Sequence, residues 1–109
     1  MNAETLEALK GSINKWEDIC FRDGEDVGSD NCPLCQKFFL RCNKGCPVHE
    51  ITHNGCYNSP WEEWFDHQLH EHHVHYMDYC VRKIRCPECK RLAERELEFL
   101  KSLLPKEQS

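Results

Sequence analysis

Residues 32–56 read CPLCQKFFLRCNKGCPVHEITHNGC, which places five cysteines within 25 residues. The stretch keeps neither the 3.6-residue period of a helix nor the alternation of a strand. Its cysteines, turn residues and short apolar pieces instead describe an irregular lobe over residues 32–58, organised by ligands, with one helical turn around Gln36–Leu40. A tetrahedral Zn²⁺ takes four thiolate or imidazole ligands, and a C-x-x-C turn supplies two of them from one tight loop. Cys32 and Cys35 have that spacing, and Cys86 and Cys89 repeat it in a CPEC turn at 86–89.

Composition explains why such a staple is needed. Leu, Ile, Val and Phe together make up 23 of 109 residues, about a fifth of the chain, which is close to the level at which chains fail to bury enough apolar surface to fold. A single small domain with so thin a core depends on metal or disulfides. The chain carries nine cysteines and seven histidines. An odd cysteine count argues against complete disulfide pairing. No run of about 18 apolar residues suggests a transmembrane span. Residues 1–10, with Glu4 and Glu7, lack the positive and apolar regions of a signal peptide. A cytoplasmic setting, where thiols stay reduced and metal ligation is the commoner use of paired cysteines, is the expectation.

Two ligand pairings are compatible with the spacing. In one, a local site uses Cys32, Cys35 and two of Cys42, Cys46 and Cys56, while Cys86 and Cys89 find partners elsewhere, in Cys80 or a histidine. In the other, the two CPxC turns meet in one four-thiolate site, and the middle cysteines form a second with His49 or His53. The local site is favoured, and one or two Zn²⁺ ions are expected; an iron–sulfur cluster would use the same cysteines. Cys20, on the apolar face of a helix, reads as a small buried hydrophobe instead.

Outside the lobe the chain reads as helix, so the fold class is mainly α: about three helices around the Cys-rich lobe, in one domain over 1–109. Leu6, Leu9, Ile13, Trp16 and Cys20 share one face of a helix over 3–20. Ser59, Pro60 and Glu62 form a helix start with a capping box, and the stripe from Trp61 through Tyr79 predicts a helix over 60–82. A last helix over 88–104 presents Ala93, Leu97, Leu100 and Leu104, with Pro105 as its stop. Trp16, Trp61 and Trp64 fall at helical spacings that make them core anchors.

Two further constellations bear on function. His67, His70, His72, His73 and His75 crowd one helix with Glu63, Asp66 and Glu71. Spacings of three and four put Glu63, His67 and His70 on one face. As solvated side chains, with His72 packed inward, they need no metal. As a set with Asp66, His67 and His70 would serve a metal-dependent nuclease of the His-Asn-His kind, whose frame also runs between two cysteine knuckles. No asparagine lies between His67 and Cys86, and strand patterning is absent. Arg82, Lys83, Arg85, Lys90 and Arg91 make a local basic patch that would contact phosphates in a nucleic-acid-binding module. Against it stands a net charge of −5, which disfavours a general duplex-binding surface.

The pieces ALKGSINKWEDI, DNCPLCQKFF, CNKGCPV, GCYNSPWEEW and LAERELEFLKSLL resemble those of a group of small uncharacterised Cys-rich proteins encoded by phages and prophages. The resemblance covers roughly residues 5–65 and 91–105. It carries over Cys32, Cys35, Cys42, Cys46 and Cys56 as the cysteine set, with Pro47, Pro60 and Trp61 beside them. It implies a phage accessory protein in the cytoplasm of a host cell, and it supports the local site. The expectation is a zinc-binding, protein-binding or adaptor module, not an enzyme, with a host or phage protein as partner, no membrane contact, and possible interference with a host process.

Overall fold

A computed structural model describes residues 3–27, 31–38, 46–52, 59–72, 74 and 81–105. Among these residues five helices follow in order: α1 (Ala3–Phe21), α2 (Pro33–Lys37), α3 (Pro47–Thr52), α4 (Pro60–His72) and α5 (Pro87–Ser102). Strands are absent among the described residues; an isolated bridge joins Asp26 to Arg82. The mainly α reading holds, with three longer helices and an intervening lobe that contributes two short ones. No helix among the described residues is long and apolar enough to cross a membrane.

The helices form because local signals agree with burial. Leu9, Ile13, Trp16, Ile19 and Cys20 bury one stripe of α1, and Leu92, Ala93, Leu97 and Leu100 bury one stripe of α5. These stripes face each other, and α4 packs on α5 beside them. Trp64 is fully buried, with its ring edge-on to Trp16 at a centroid distance of 5.4 Å. Leu34, Phe38, Cys46 and Val48 join the same core from α2, α3 and their flanks. Trp61 is partly buried at its margin and packs on Phe65 at 5.1 Å. Two of the three tryptophans therefore anchor the centre and the third its edge.

Gly11 sits where α2 lies against α1. A β-carbon there would come within 2.8 Å of Pro33 Cγ, so the glycine that costs helix propensity permits the contact. Ser12 completes the joint: its hydroxyl accepts the Leu34 N–H at 3.2 Å and lies 3.5 Å from Cys32 Sγ.

The predicted helix over 60–82 is shorter in the structure. α4 ends at His72, and both Val74 and residues 81–85 are outside any helix. Two contacts account for this. The Val74 N–H donates to the Gln68 carbonyl at 3.0 Å, closing the helix end, and Arg82 is held in extended backbone by its bridge to Asp26. Residues 75–80, including Cys80 and His75, lie outside the described residues.

Candidate metal centre

α4 and α5 pack side by side in opposite directions: Glu63 near the start of α4 pairs with Arg95 well along α5, and the carboxyl end of α4 lies beside the amino end of α5. Cys86 occupies the N-cap of α5 in extended backbone, Pro87 takes the first helical position, and Cys89 follows one turn in. A proline is suited to that position because its missing N–H would have no helical partner there. The turn brings the two sulfurs to 3.5 Å. From α4, His67 Nε2 lies 3.2 Å from Cys86 Sγ, and His72 Nε2 lies 3.2 Å from Cys89 Sγ. The two imidazoles stand edge-on at 5.0 Å. All four ligand atoms fall within 4.8 Å of one another.

Those distances can be set against a coordination polyhedron. Zn–S and Zn–N lengths of about 2.3 and 2.0–2.1 Å imply tetrahedral edges of roughly 3.3–3.8 Å. The two sulfur–nitrogen contacts at 3.2 Å and the sulfur–sulfur contact at 3.5 Å lie within about 0.1 Å of that range or inside it, and the remaining pairs lie no farther than 4.8 Å apart, so the Cys₂His₂ set could hold a metal ion. Two thiolates and two neutral imidazoles also balance the charge of a divalent cation.

The local electrostatics differ between the two sulfurs. The Cys89 backbone N–H at the helix start, followed by His67 and His72, brings the Cys86 thiol down to about 6. Burial pushes the Cys89 thiol up, and Cys89 is fully buried. A cation between them offsets that burial, because a coordinated thiol gives up its proton.

The other sequence candidates are placed as follows. Cys32 and Cys35 lie side by side at the start of α2: a hydrogen bond to Cys35, then burial, raises the Cys32 thiol. Cys46 is buried in the core next to α3. Cys42, Cys56 and His53 lie outside the described residues, as do His73 and the patterned residues 39–45. Cys20 is a buried core thiol that burial lifts to about 11. Among the described residues no two cysteines are joined by a disulfide, and the α4–α5 cluster is the group of three or more ligand-type side chains that converges.

Sequence reasoning left a histidine open as the partner of Cys86 and Cys89 without naming one. The helical-face rule selected His67 with His70, three residues apart, whereas His67 and His72 are five apart and differ by about 140° on an ideal helix. His72 is the final residue of α4, where its ring meets that of His67 edge-on at 5.0 Å and each imidazole faces one sulfur of the first turn of α5. His70 and Asp66 are exposed.

The basic patch is largely engaged within the protein. Arg82 is buried and paired with Asp26. Arg85 donates to Gln68 and to the Val81 carbonyl. Arg91 pairs with Glu88, and the Lys90 ammonium sits 5.5 Å above the Phe21 ring. Lys83 is exposed.

No family model, curated protein or solved structure matches the chain. The reading of the site therefore rests on its own geometry.

Proposed function

We propose that this chain is a small zinc-stapled module that works by binding a partner protein. The observation that supports it best is the convergence of His67 and His72 from α4 with Cys86 and Cys89 from the start of α5, four ligand atoms within 4.8 Å of one another. Four protein ligands would complete a tetrahedron around zinc, the arrangement of structural sites; catalytic sites keep a position for water or substrate. Zinc there would clamp α4 to α5 and supply folding energy that the thin core does not.

A protein partner is favoured over nucleic acid by the charge on the surface. The chain is acidic overall, and four of the five side chains in the basic patch make internal contacts. The resemblance to phage proteins makes a host or phage protein the partner, with modulation of a host process as the outcome. A second ion belongs to the same proposal, seated on Cys32 and Cys35 with partners from Cys42, Cys46 and Cys56.

Metal analysis on purified chain tests the staple. One equivalent of zinc should be lost with Cys89→Ser or His72→Ala, and a second with Cys35→Ser. Zinc content unaffected by Cys89→Ser would overturn the α4–α5 centre. For the partner, zinc-loaded chain should retain a host protein that chelator-treated chain releases. Retention of nucleic acid alone, abolished by Lys83→Glu, would favour the nucleic-acid-binding reading, and divalent-metal-dependent cleavage lost with His67→Ala would favour a nuclease.

A further inference from the structure

Gln68 follows His67 on α4 and is fully buried. Its amide is committed on every side. Nε2 donates to the Lys83 carbonyl at 2.9 Å and to Cys89 Sγ at 3.2 Å. Oε1 accepts from Arg85 Nη1 at 2.7 Å, and Arg85 Nη2 donates to the Val81 carbonyl at 3.0 Å. The guanidinium can only donate and the Lys83 carbonyl can only accept. The amide orientation is thereby fixed: a flip would set an oxygen against a carbonyl oxygen and an NH₂ against a cation. One amide proton goes to Lys83, so the other points at sulfur, and Cys89 Sγ is an acceptor.

We propose that Gln68 and Arg85 are positioning residues of the metal centre, a two-residue latch that aims an N–H at the ligating Cys89 sulfur and ties the 81–85 segment to it. The inference rests on the metal-centre reading above and adds an outer shell to it. The guanidinium polarises the amide it grips, which strengthens the N–H···S bond and draws charge from the metal-bound sulfur. The same contacts join the 81–85 segment to α4, so the chain leading into the CPEC turn is held at the distance the two histidines need. Outer partners of this kind are worth roughly 10–100-fold in metal affinity.

The test compares full-length wild type with Gln68→Met, close in volume but without the N–H, and with Arg85→Met at an exposed position. Zinc affinity is read by competition with a chromophoric chelator, and sulfur donation by the absorption of the Co²⁺-loaded protein. Gln68→Met should weaken zinc binding by about 10–100-fold and move the sulfur-to-cobalt charge-transfer band to lower energy, with the tetrahedral d–d bands kept. Arg85→Met should shift both in the same direction by less. Wild-type affinity and an unmoved band in both variants would overturn the latch. If Gln68→Met does not fold, the band position in Arg85→Met decides. Should wild type and Cys89→Ser take up zinc equally, the metal centre itself fails, an outcome separate from an intact centre indifferent to Gln68.

Discussion

Asp26 and Arg82, 56 residues apart, are joined twice. Their backbones exchange hydrogen bonds at 2.7 and 3.2 Å, and Arg82 Nε donates to Asp26 Oδ2 at 2.9 Å. Lys15 Nζ reaches the other carboxylate oxygen at 2.7 Å, while the indole N–H groups of Trp61 and Trp64 both donate to Oδ2 at 3.1 Å. One fully buried carboxylate thus gathers α1, α4 and the segment that leads into the metal centre. Burial alone would raise its pKa, but Lys15 and Arg82 overcome that and hold it at about 2.

Replacing this carboxylate should be costly. Asp26→Asn leaves Lys15 and Arg82, both nearly buried, facing a neutral amide. Breaking a buried charge pair by removing one partner costs about 3–5 kcal/mol. Urea denaturation of the zinc-loaded protein at pH 7 should show a loss of that order, and a loss below about 1 kcal/mol would mean that the network adds little.

Glu96 shows the opposite electrostatics. It is buried on α5, and its Oε1 has no hydrogen-bond partner among the described residues. Burial, reinforced by Cys32 and Asp26, lifts its carboxyl from 4.5 to about 8. Because the folded-state pKa lies above the unfolded one, the stabilisation is complete below pH 4.5 and is lost as pH rises through 8. Each pH unit in that window removes about 1.4 kcal/mol. Between pH 6 and 8 the wild type should lose stability, and Glu96→Gln should flatten the profile and melt higher at pH 8. Parallel profiles for the two proteins would reject this assignment.

Gly11→Ala reverses the usual rule for a mid-helix glycine. Alanine favours an isolated helix by about 1 kcal/mol, yet its β-carbon would press on the Pro33 ring. Overpacking of this sort costs about 1–3 kcal/mol. The variant should therefore unfold at lower urea than wild type, with helicity unchanged by circular dichroism. A gain in stability would show that α2 moves aside freely.

An ion held by the α4–α5 cluster would act mainly at that junction, so its removal is best followed in Cys35→Ser, which lacks the second proposed site. Removal of such an ion would leave the two sulfurs and two imidazoles held by hydrogen bonds alone. Amide exchange should then accelerate first in the last turn of α4 and in residues 81–89, while the α1 amides around Trp16 keep more of their protection. Uniform acceleration throughout would mean that the ion governs the whole fold at once.

Local chemistry made much of this protein legible in its residues. Ser59, Pro60 and Glu62 mark the start of α4: Ser59 Oγ accepts the Trp61 N–H at 3.2 Å. The apolar stripes of α1 and α5 identify their buried faces, and the CPEC turn names two members of the Cys/His cluster. These signals live within one or two helical turns, where spacing determines geometry. Contacts that depend on how distant segments meet were not legible in this way. Neither Asp26 nor Gln68 belongs to any motif or apolar stripe that its sequence neighbours define. His67 and His72 violate the helical-face rule, while Arg82, Arg85 and Arg91 read as a surface patch. The tertiary structure turns Asp26 and Arg82 inward against each other and brings the end of α4 to the start of α5. Which side chains share a buried charge or a common ion is decided there, because burial and convergence belong to the packed chain and to no single segment of it.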